Sequence, residues 1–334
     1  GGKMIKELDE KFIHVHQLPV ASKNFFSYPL IARKINQFIK TNNINIAHVR
    51  SRGPAWMINL MAKNNIKTIA TFHNVYGGSS YFKKMYNKGL SKMDHLVAIS
   101  DYVKEIIVKK YDLQPNNISV INRGIDTEYF NQTLSTVIRD NILKTHQIDT
   151  AKKIILFPAR ITSWKGQLEF IDVITKMDTQ NIIILFAGDT KNDSYTKLVR
   201  DKIEQNNLVG VCKILGSVNQ NEMRGLYQIA DLSVSFPLRA EGFGRTVSES
   251  LYSKTPVLAF DYGGVKNQLE NLNEIYKVKP QDYQSLPAKI EKLLSLSEFE
   301  KKEALEGVQL VIESNFSKIN MVNKYLKLYD SIKS

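Results

Sequence analysis

Residues 233–261 read SVSFPLRAEGFGRTVSESLYSKTPVLAFD, and this stretch decides the fold of the second half of the chain. Its two apolar runs predict buried strands, and the segment between them predicts a loop followed by a helix that begins near Gly242–Gly244. Glycines at the start of a helix let the backbone approach an anion, and the free amides at the positive end of the helix dipole suit a diphosphate. We therefore interpret the stretch as a strand, loop, helix and strand that carry a phosphate site.

Two carboxylates flank the glycines of this stretch. Glu241 precedes the turn, and Glu249 follows about two helical turns further on, about 10 Å away at the rise of an α-helix. A carboxylate does not bind phosphate, but it accepts hydrogen bonds from hydroxyl groups. A phosphate site flanked by hydroxyl acceptors suits a nucleotide-sugar. The alternative is structural, with Glu241 as a charge at the start of the helix and Glu249 as a solvated side chain.

Short apolar runs alternate with amphipathic stretches along the whole chain. The runs typical of buried strands cover residues 13–16, 44–49, 68–72, 95–100 and 118–122, and then 153–160, 181–189, 212–216, 231–236, 256–261 and 274–278. The stretches between them have the apolar periodicity of helices, and residues 298–334 are predicted to be helical. This pattern predicts an α/β fold with two Rossmann-like, doubly wound domains. Because ligands bind beyond the carboxyl ends of parallel strands, we expect the two domains to face each other across a cleft.

The composition limits the class of protein. A single cysteine, Cys212, excludes an internal disulfide framework, and its setting VCKIL is typical of a buried strand. A reducing compartment is therefore the default expectation. No apolar run reaches the length of about 18 residues that a membrane-spanning helix needs.

The net charge of +13 is uneven, because the first 150 residues hold 21 Lys and Arg against 11 Asp and Glu. Nucleic acid, an anionic membrane surface or phosphate-bearing substrates could each account for this excess, and so could solvated lysine-rich faces. The aromatic- and lysine-rich stretch 79–92, SSYFKKMYNKGLSK, favours a helix at a membrane surface over nucleic acid.

Cationic residues follow several predicted strands. Arg160 and Lys165 bracket a Ser-Trp turn in FPARITSWKGQ, where they can neutralise the charge of a leaving diphosphate. His73 ends a strand in ATFHNVYGG and is a candidate for contacting a substrate. The sequence also places Arg50 and Arg52 at one strand end and Arg123 at another, on what we expect to be an acceptor side that suits phosphate or carboxylate. Each of these residues could instead be an ordinary exposed basic group or a structural histidine.

Several motifs are absent from the sequence. There is no P-loop motif and no Gly-x-Gly-x-x-Gly after the first visible strand, which disfavours P-loop ATPases and ordinary dehydrogenases. Neither an Asp-x-Asp pair nor a His/Cys cluster with metal-ligand spacing occurs. We therefore expect no metal and no cofactor, with the charge of the leaving group balanced by protein cations and helix dipoles.

With these motifs in place, the sequence resembles the retaining glycosyltransferases of family 4, which have the GT-B fold and include many enzymes of lipopolysaccharide and capsule synthesis. The resemblance covers nearly the whole chain. Its most specific part is residues 240–265, AEGFGRTVSESLYSKTPVLAFDYGGV, which carries two glutamates separated by seven residues and a downstream Gly-Gly. PARITSWKG (158–166) and TFHNVYGG (71–78) match independently.

The resemblance implies a role for each matching residue. Arg160, Lys165 and the amides of Phe243 and Gly244 would hold the donor diphosphate, Glu241 the hydroxyls of the donor sugar, and Glu249 those of the ribose. His73 would lie by the anomeric centre as a catalytic residue together with Glu241. The full donor site implied comprises Arg160, Lys165, Gly216, Ser217, Val218, Glu241, Gly242, Phe243, Gly244 and Glu249, with Gly216–Val218 passing near the base.

The resemblance also implies the organisation and the activity. We expect an acceptor-side domain over 1–130, a linker over 131–150, a nucleotide-sugar domain over 151–312, and a helix over 313–334 that crosses back to the first domain. The implied reaction moves a sugar from a UDP-, GDP- or ADP-sugar to an anionic saccharide or lipid-linked acceptor. It retains configuration, needs no metal, and belongs to cell-envelope synthesis in the cytoplasm, with peripheral contact to an anionic membrane and none to nucleic acid. The alternatives are an inactive nucleotide-sugar-binding remnant and a sugar-nucleotide 2-epimerase.

Two departures from the family pattern carry expectations of their own. Family members begin with a strand, a glycine-rich loop, a helix and a second strand ahead of a segment that resembles GGKMIKEL, so we expect this chain alone to be impaired in activity or stability. Asn267 stands where a glutamate is common, and the contact made by that glutamate is therefore not expected here.

Overall fold

A computed structural model describes residues 15–22, 24–61, 66–78 and 80–333 of the chain. The strands are β1 (Ile46–Val49), β2 (Lys67–Phe72), β3 (His95–Ala98), β4 (Ile118–Val120), β5 (Lys153–Pro158), β6 (Ile182–Ala187), β7 (Cys212–Gly216), β8 (Leu232–Ser235), β9 (Val257–Phe260) and β10 (Lys277–Val278). The helices are α1 (Tyr28–Thr41), α2 (Arg52–Asn59), α3 (Tyr81–Asn87), α4 (Asp101–Tyr111), α5 (Thr127–Asn131), α6 (Thr136–Thr145), α7 (Gln167–Ile174), α8 (Asp193–Gln205), α9 (Gln220–Ile229), α10 (Arg245–Tyr252), α11 (Lys266–Leu269), α12 (Leu286–Leu294), α13 (Glu298–Phe316) and α14 (Lys318–Lys333).

The described residues form two parallel sheets. One has the strand order β1-β2-β3-β4, and the other has the order β10-β9-β8-β5-β6-β7. The central strands are short apolar runs buried on both faces, as in β6, where all six residues are buried. Continuous apolar runs of this kind are what a parallel sheet covered by helices on both faces requires. The predicted α/β class with two Rossmann-like domains is confirmed.

The chain divides into two compact units. Unit 1 comprises the described residues within Gly1–Ile99, Val103–Val120 and Lys327–Ser334, and it contains the four-stranded sheet. Unit 2 comprises Ser100–Tyr102 and Ile121–Leu326, and it contains the six-stranded sheet. The last helix, α14, therefore contributes residues to both units.

Most of the predicted strands are confirmed with small changes at their ends, and two predictions fail in part. Residues 274–276 form a 3-10 turn, so that β10 is only two residues long. Of the strand predicted over 13–16, Ile13 and His14 lie outside the described residues, and Val15 and His16 are not in a strand. A run this short has too few apolar positions for periodicity alone to separate a strand from an extended segment.

Candidate active site

The candidate site lies where the order of the strands in unit 2 reverses. After β5 the chain builds β6 and β7 on one side, then returns to place β8 and β9 on the other side of β5. The chain therefore continues beyond the carboxyl ends of β5 and β8 in two loops, residues 159–166 and 236–244. The crevice beyond such a switch point is where doubly wound sheets bind ligands.

Glycines bring the two loops together at the switch point. Gly166, with φ +87°, ends the first loop, and a Cβ atom there would overlap the carbonyl oxygen of Phe236 in the second. The amide of Leu238 donates to the carbonyl of Trp164 at 2.8 Å. Only a residue without a Cβ atom allows this close approach at a left-handed φ.

A buried glutamine fixes the backbone of the second loop. Gln268 on α11 is 1% exposed, and its Nε2 donates to the carbonyl oxygens of Phe243 and, at 3.2 Å, Gly264. Its Oε1 accepts a 2.6 Å hydrogen bond from the Ser248 hydroxyl on α10. The amide of Gly264 donates to the carbonyl of Glu241 at 2.8 Å. The Ser100 hydroxyl, also in unit 2, donates to the carbonyl of Gly242 at 2.6 Å. Three segments of unit 2 therefore fix the carbonyl groups of residues 241–243, which leaves the amides of this turn for other partners.

The amides at the start of α10 carry no internal hydrogen bond. Gly244 has φ +81° and precedes the first helical residue, Arg245, one residue later than the sequence indicated. Within the part of the chain that the structure describes, no group accepts a hydrogen bond from the backbone amides of residues 242–246. The first amides of a helix lack intrahelical acceptors and carry partial positive charge. This turn can therefore bind an anion, as the sequence predicts.

An ion pair lies at the mouth of the same turn. Lys165 Nζ donates to Glu241 Oε1, and the two side chains are 13% and 15% exposed. The ammonium group also lies 4.4 Å from the centroid of the Trp164 ring. Arg160 is exposed, and no described side chain pairs with it. The structure thus brings Lys165 and Glu241 together and leaves Arg160 at the surface of the same loop.

Glu249 is a buried acid rather than a solvated one. Its Oε1 lies 2.5 Å from Nε of Arg245, one helical turn earlier on α10, and its Oε2 accepts a 3.1 Å hydrogen bond from the Tyr227 hydroxyl. Burial raises the pKa of Glu249, against the opposing effects of Arg245 and Tyr227. A carboxyl group kept in an unfavourable environment beside a turn that is predicted to bind phosphate is a candidate for ligand binding.

The end of β7 contributes a third loop beyond the carboxyl edge of this sheet. Gly216 has φ +74° and accepts a 2.9 Å hydrogen bond from the Gly188 amide, and Ser217 is exposed. A Cβ atom at Gly216 would meet no described atom within 4 Å, so its backbone faces open space. Val218 follows half-buried. The structure therefore places Gly216–Val218 at the same edge as the switch point, two strands from β5.

In unit 1, His73 and Arg50 form a pair beyond the ends of β2 and β1. The Nε atom of Arg50 donates to His73 Nε2 at 3.1 Å, which requires a neutral imidazole with its proton on Nδ1. His48 lies in β1, two residues before Arg50. Its ring is hydrogen-bonded to the hydroxyl groups of Tyr329 and Thr71, at 2.7 Å each. Burial, helped by Arg50, lowers the pKa of His48 to about 4. Arg50 and His73 are thus brought together, as their positions at neighbouring strand ends predict.

The other two arginines predicted for the acceptor side have different surroundings. Arg52 is the first residue of α2, and its guanidinium group lies 4.4 Å from the Tyr76 ring centroid and donates to Asn87 Oδ1 at 2.6 Å. These contacts tie α2 to the loop after β2. Arg123 is exposed and belongs to unit 2, whereas Arg50 and Arg52 belong to unit 1.

Three further observations bear on the chemistry. Within the described ranges, no group of three or more His, Cys, Asp and Glu side chains could hold a metal ion. Burial raises the pKa of the Cys212 thiol to about 12, so that this strand residue is an inert thiol.

Asn267 is half-buried and donates to Asp101 Oδ2 at 3.3 Å. Its side chain therefore does not contact the turn before α10, which its neighbour Gln268 holds.

Sequence reasoning missed the buried residues that hold the site. Gln268 contacts the Phe243 carbonyl from 25 positions away and Tyr227 contacts Glu249 from 22 positions away, while Ser248 holds Gln268. A polar residue inside an apolar stretch, as in the helix VSESLY, is the signal that could have indicated Ser248. Nothing local marks Gln268 or Tyr227.

A chain with two parallel-sheet Rossmann-like units has the architecture of the GT-B glycosyltransferases. Residues 138–306 match the family model described as glycosyl transferases group 1, and residues 3–129 match the one described as glycosyltransferase family 4. The chain belongs to the glycosyl transferases group 1 family.

Solved and curated relatives agree with this assignment. A glycosyltransferase from Rickettsia africae ESF-5 has a similar structure, with a TM-score of 0.87 and 32% identity over 100% of this chain and 89% of that one. Anabaena HepE, solved in complex with UDP-glucose, is 17% identical with a TM-score of 0.77 over 90% and 82% of the two chains, and supports the fold alone. A trehalose synthase from Thermococcus litoralis is 26% identical over 75% of this chain, which spans 60% of that protein's length.

Proposed function

We propose that this protein is a glycosyltransferase that moves a sugar from a nucleotide-sugar to a saccharide or lipid-linked acceptor, with retention of configuration and without a metal. The observation that carries the proposal is the turn 242–246, whose amides have no internal acceptor and lie at the switch point beside Lys165 and Glu241. That combination offers donors for a diphosphate and an acceptor for sugar hydroxyls within one loop. Membership of the family supports the same reaction class.

The mechanism follows from the contacts of Lys165. In the free protein this lysine neutralises Glu241. When a donor diphosphate binds to the amides of Phe243 and Gly244, its charge draws the Lys165 ammonium group away from Glu241. Glu241 is then available to accept hydrogen bonds from the donor sugar. Arg160 adds a second cation from the same loop, and the cations and helix dipole together stabilise the leaving diphosphate.

In the transfer step, the bond between the anomeric carbon and the diphosphate oxygen breaks as the acceptor oxygen bonds to the same face of that carbon. The acceptor proton goes to the departing phosphate oxygen, so that no separate base is required. His73, held neutral by Arg50, would lie by the anomeric carbon and orient the sugar. The rest of the proposed donor site is the ribose acceptor Glu249 and the Gly216–Val218 loop near the base.

A screen of UDP-, GDP- and ADP-sugars for thermal stabilisation tests this proposal. A donor at about 100 times its Kd should add about 2.7 kcal/mol to the stability. Lys165→Ala should weaken the donor affinity by roughly 10-fold to 150-fold, because it removes a charged hydrogen bond worth about 1.5–3 kcal/mol. The matched control is Lys191→Ala, an exposed lysine whose partner is Asp189. The proposal fails if no nucleotide-sugar raises the melting temperature, or if Lys165→Ala and Lys191→Ala behave alike.

We further propose an anionic acceptor and a cytoplasmic location at the inner face of the membrane. The support for the acceptor is the exposed cations Arg50 and Arg123. The support for membrane contact is α3, where Tyr81 and Phe82 are 74% and 77% exposed among lysines. Exposed aromatic rings among lysines suit the interface of an anionic bilayer. No helix in the described ranges is long and apolar enough to cross a membrane.

A further inference from the structure

A cavity of about 460 Å³ lies in unit 1 between α3 and the end of α4. Its walls are formed by Tyr81, Lys84, Met85, Lys88, Lys110 and Tyr111. Tyr81, Lys84 and Met85 of α3 and its C-cap residue Lys88 follow the i, i+3, i+4, i+7 spacing, so one face of this helix lines the cavity. A volume of about 300–1000 Å³ is typical of sites for small molecules.

The walls of this cavity combine apolar surface with positive charge. Met85 and the two tyrosine rings give the apolar part, and Met85 is 45% exposed. The lysines supply three ammonium groups, and no carboxylate among the described residues lies within ion-pair distance of them. Lys110 also donates to the carbonyl oxygen of Tyr76. Unpaired cations beside an apolar wall favour a ligand with an apolar chain and an anionic head.

The hydroxyl group of Tyr111 does not contribute to this wall. Its oxygen is buried, and within the described part of the chain it has no hydrogen-bond partner. Because a ligand in the cavity cannot reach a buried atom, the contribution of Tyr111 to the cavity is its ring.

The cavity adjoins the loop that follows the proposed catalytic histidine. Tyr111 packs on Phe72, with 5.8 Å between ring centroids, and Phe72 directly precedes His73. The described residues 74–78 follow His73 ahead of α3, and the Tyr76 carbonyl among them is the acceptor for Lys110. A molecule bound in the cavity would therefore lie along the chain segment that starts at His73.

From this arrangement we infer that the cavity binds a single anionic amphiphile, with its apolar chain against Tyr81, Met85 and Tyr111 and its phosphate or carboxylate group among the lysines. In terms of the reaction, the amphiphile would be the lipid part of the acceptor. That second step rests on the proposed glycosyltransferase function, whereas the binding site does not.

Titration calorimetry with three probes separates the contributions of head and chain. Decyl phosphate, kept below its micelle concentration, should bind at least about tenfold more tightly than decyl glucoside, which lacks the charge, or methyl phosphate, which lacks the chain. Equal affinity for decyl phosphate and decyl glucoside would overturn the assignment, as would equal affinity for decyl phosphate and methyl phosphate. Since no donor is present, a protein that transfers no sugar can still show this binding.

Matched variants on one helix locate the site. Met85→Glu should weaken decyl phosphate binding by about tenfold or more, because it places a carboxylate against the ligand chain. Phe82→Glu is its control, since Phe82 is more exposed than Met85 and does not line the cavity. The double change Lys84→Gln and Lys88→Gln should also weaken binding, and Lys83→Gln should not. If Phe82→Glu weakens binding as much as Met85→Glu does, the probe adsorbs on the helix surface and the cavity assignment is wrong.

Discussion

At the residue scale, the burial of Glu249 opposes folding. Its carboxyl group is buried beside Tyr227 and Arg245, and burial raises its pKa above the value it has in an unfolded chain. The folded state therefore binds this proton more readily than the unfolded state does. The contribution of Glu249 to the free energy of unfolding is greatest when its carboxyl group is protonated. It falls as the pH rises above about 4.5 through the pKa that Glu249 has in the folded state. Burial of the carboxylate therefore opposes folding, and Arg245 and Tyr227 offset part of that cost.

Glu249→Gln should accordingly raise the melting temperature at pH 7. The amide keeps an acceptor for the Tyr227 hydroxyl and removes the cost of a buried charge, while the lost pair with the exposed Arg245 contributes little. The gain should shrink as the pH falls toward 4.5, because the unchanged glutamate then becomes protonated. Melting temperatures of both proteins across pH 4.5–8 measure this.

The same variant should lose function. A ribose bound by a charged acceptor loses about 1.5–3 kcal/mol when that charge is removed, so kcat/KM for the nucleotide-sugar should fall about 10-fold to 150-fold. Glu303→Gln, an exposed change on α13, should alter neither property. A variant that is more stable and equally active would show that Glu249 is not a ligand-binding residue.

At the scale of elements, the turn before α10 depends on its neighbour α11. Gln268→Ala leaves the Phe243 carbonyl and the Ser248 hydroxyl without a buried partner. We expect a loss of about 1–3 kcal/mol in the free energy of unfolding, together with weaker donor binding. Asn267→Ala is the matched control, since it is the adjacent residue with a single long contact and should change stability by about 0.5 kcal/mol or less. Urea unfolding measures both, and equal effects would exclude a specific role for Gln268.

The junction between the loops after β5 and β8 depends on one glycine. Gly166→Ala would place a Cβ atom onto the Phe236 carbonyl at φ +87°, so we expect a loss of about 1–3 kcal/mol or more. Gly210→Ala, where the added atom meets no described atom within 4 Å, should cost little. The difference between the two midpoints of chemical unfolding tests whether the close approach of the loops matters.

The elements were largely predictable because their signals are local. Continuous apolar runs such as IIILFA predict buried parallel strands, and Gly244 indicates where α10 begins. The short β10 was overestimated, since EIY has the composition of a strand but closes a 3-10 turn after Asn273. The supports of the site were not predictable, because the contacts of Gln268 with Phe243 and of Tyr227 with Glu249 join segments that are distant in sequence.

At the scale of the whole molecule, the charge is concentrated in the first 150 residues. If that excess attracts an anionic bilayer, binding to vesicles should increase with their anionic lipid content and weaken as salt rises, because the Debye length falls to about 8 Å at 0.15 M. Vesicle flotation at several salt concentrations measures this. Replacing Lys83 and Lys84 by glutamine should reduce binding, and replacing the distant Lys191 should not. Binding that ignores the lipid charge would contradict the proposed membrane contact.

The position of the site at the switch point also determines the stage of folding at which the site forms. Its two loops meet only after β8 has paired with β5, as in the register of Leu232 with Ile155, and β6 and β7 lie between these strands in the chain. Pairing of segments so far apart closes a long loop and is slow relative to local helix formation. A nascent or partly folded unit 2 would therefore have no place for a nucleotide-sugar. Donor binding can serve as a measure of completed folding, which makes the ligand a practical probe for refolding experiments.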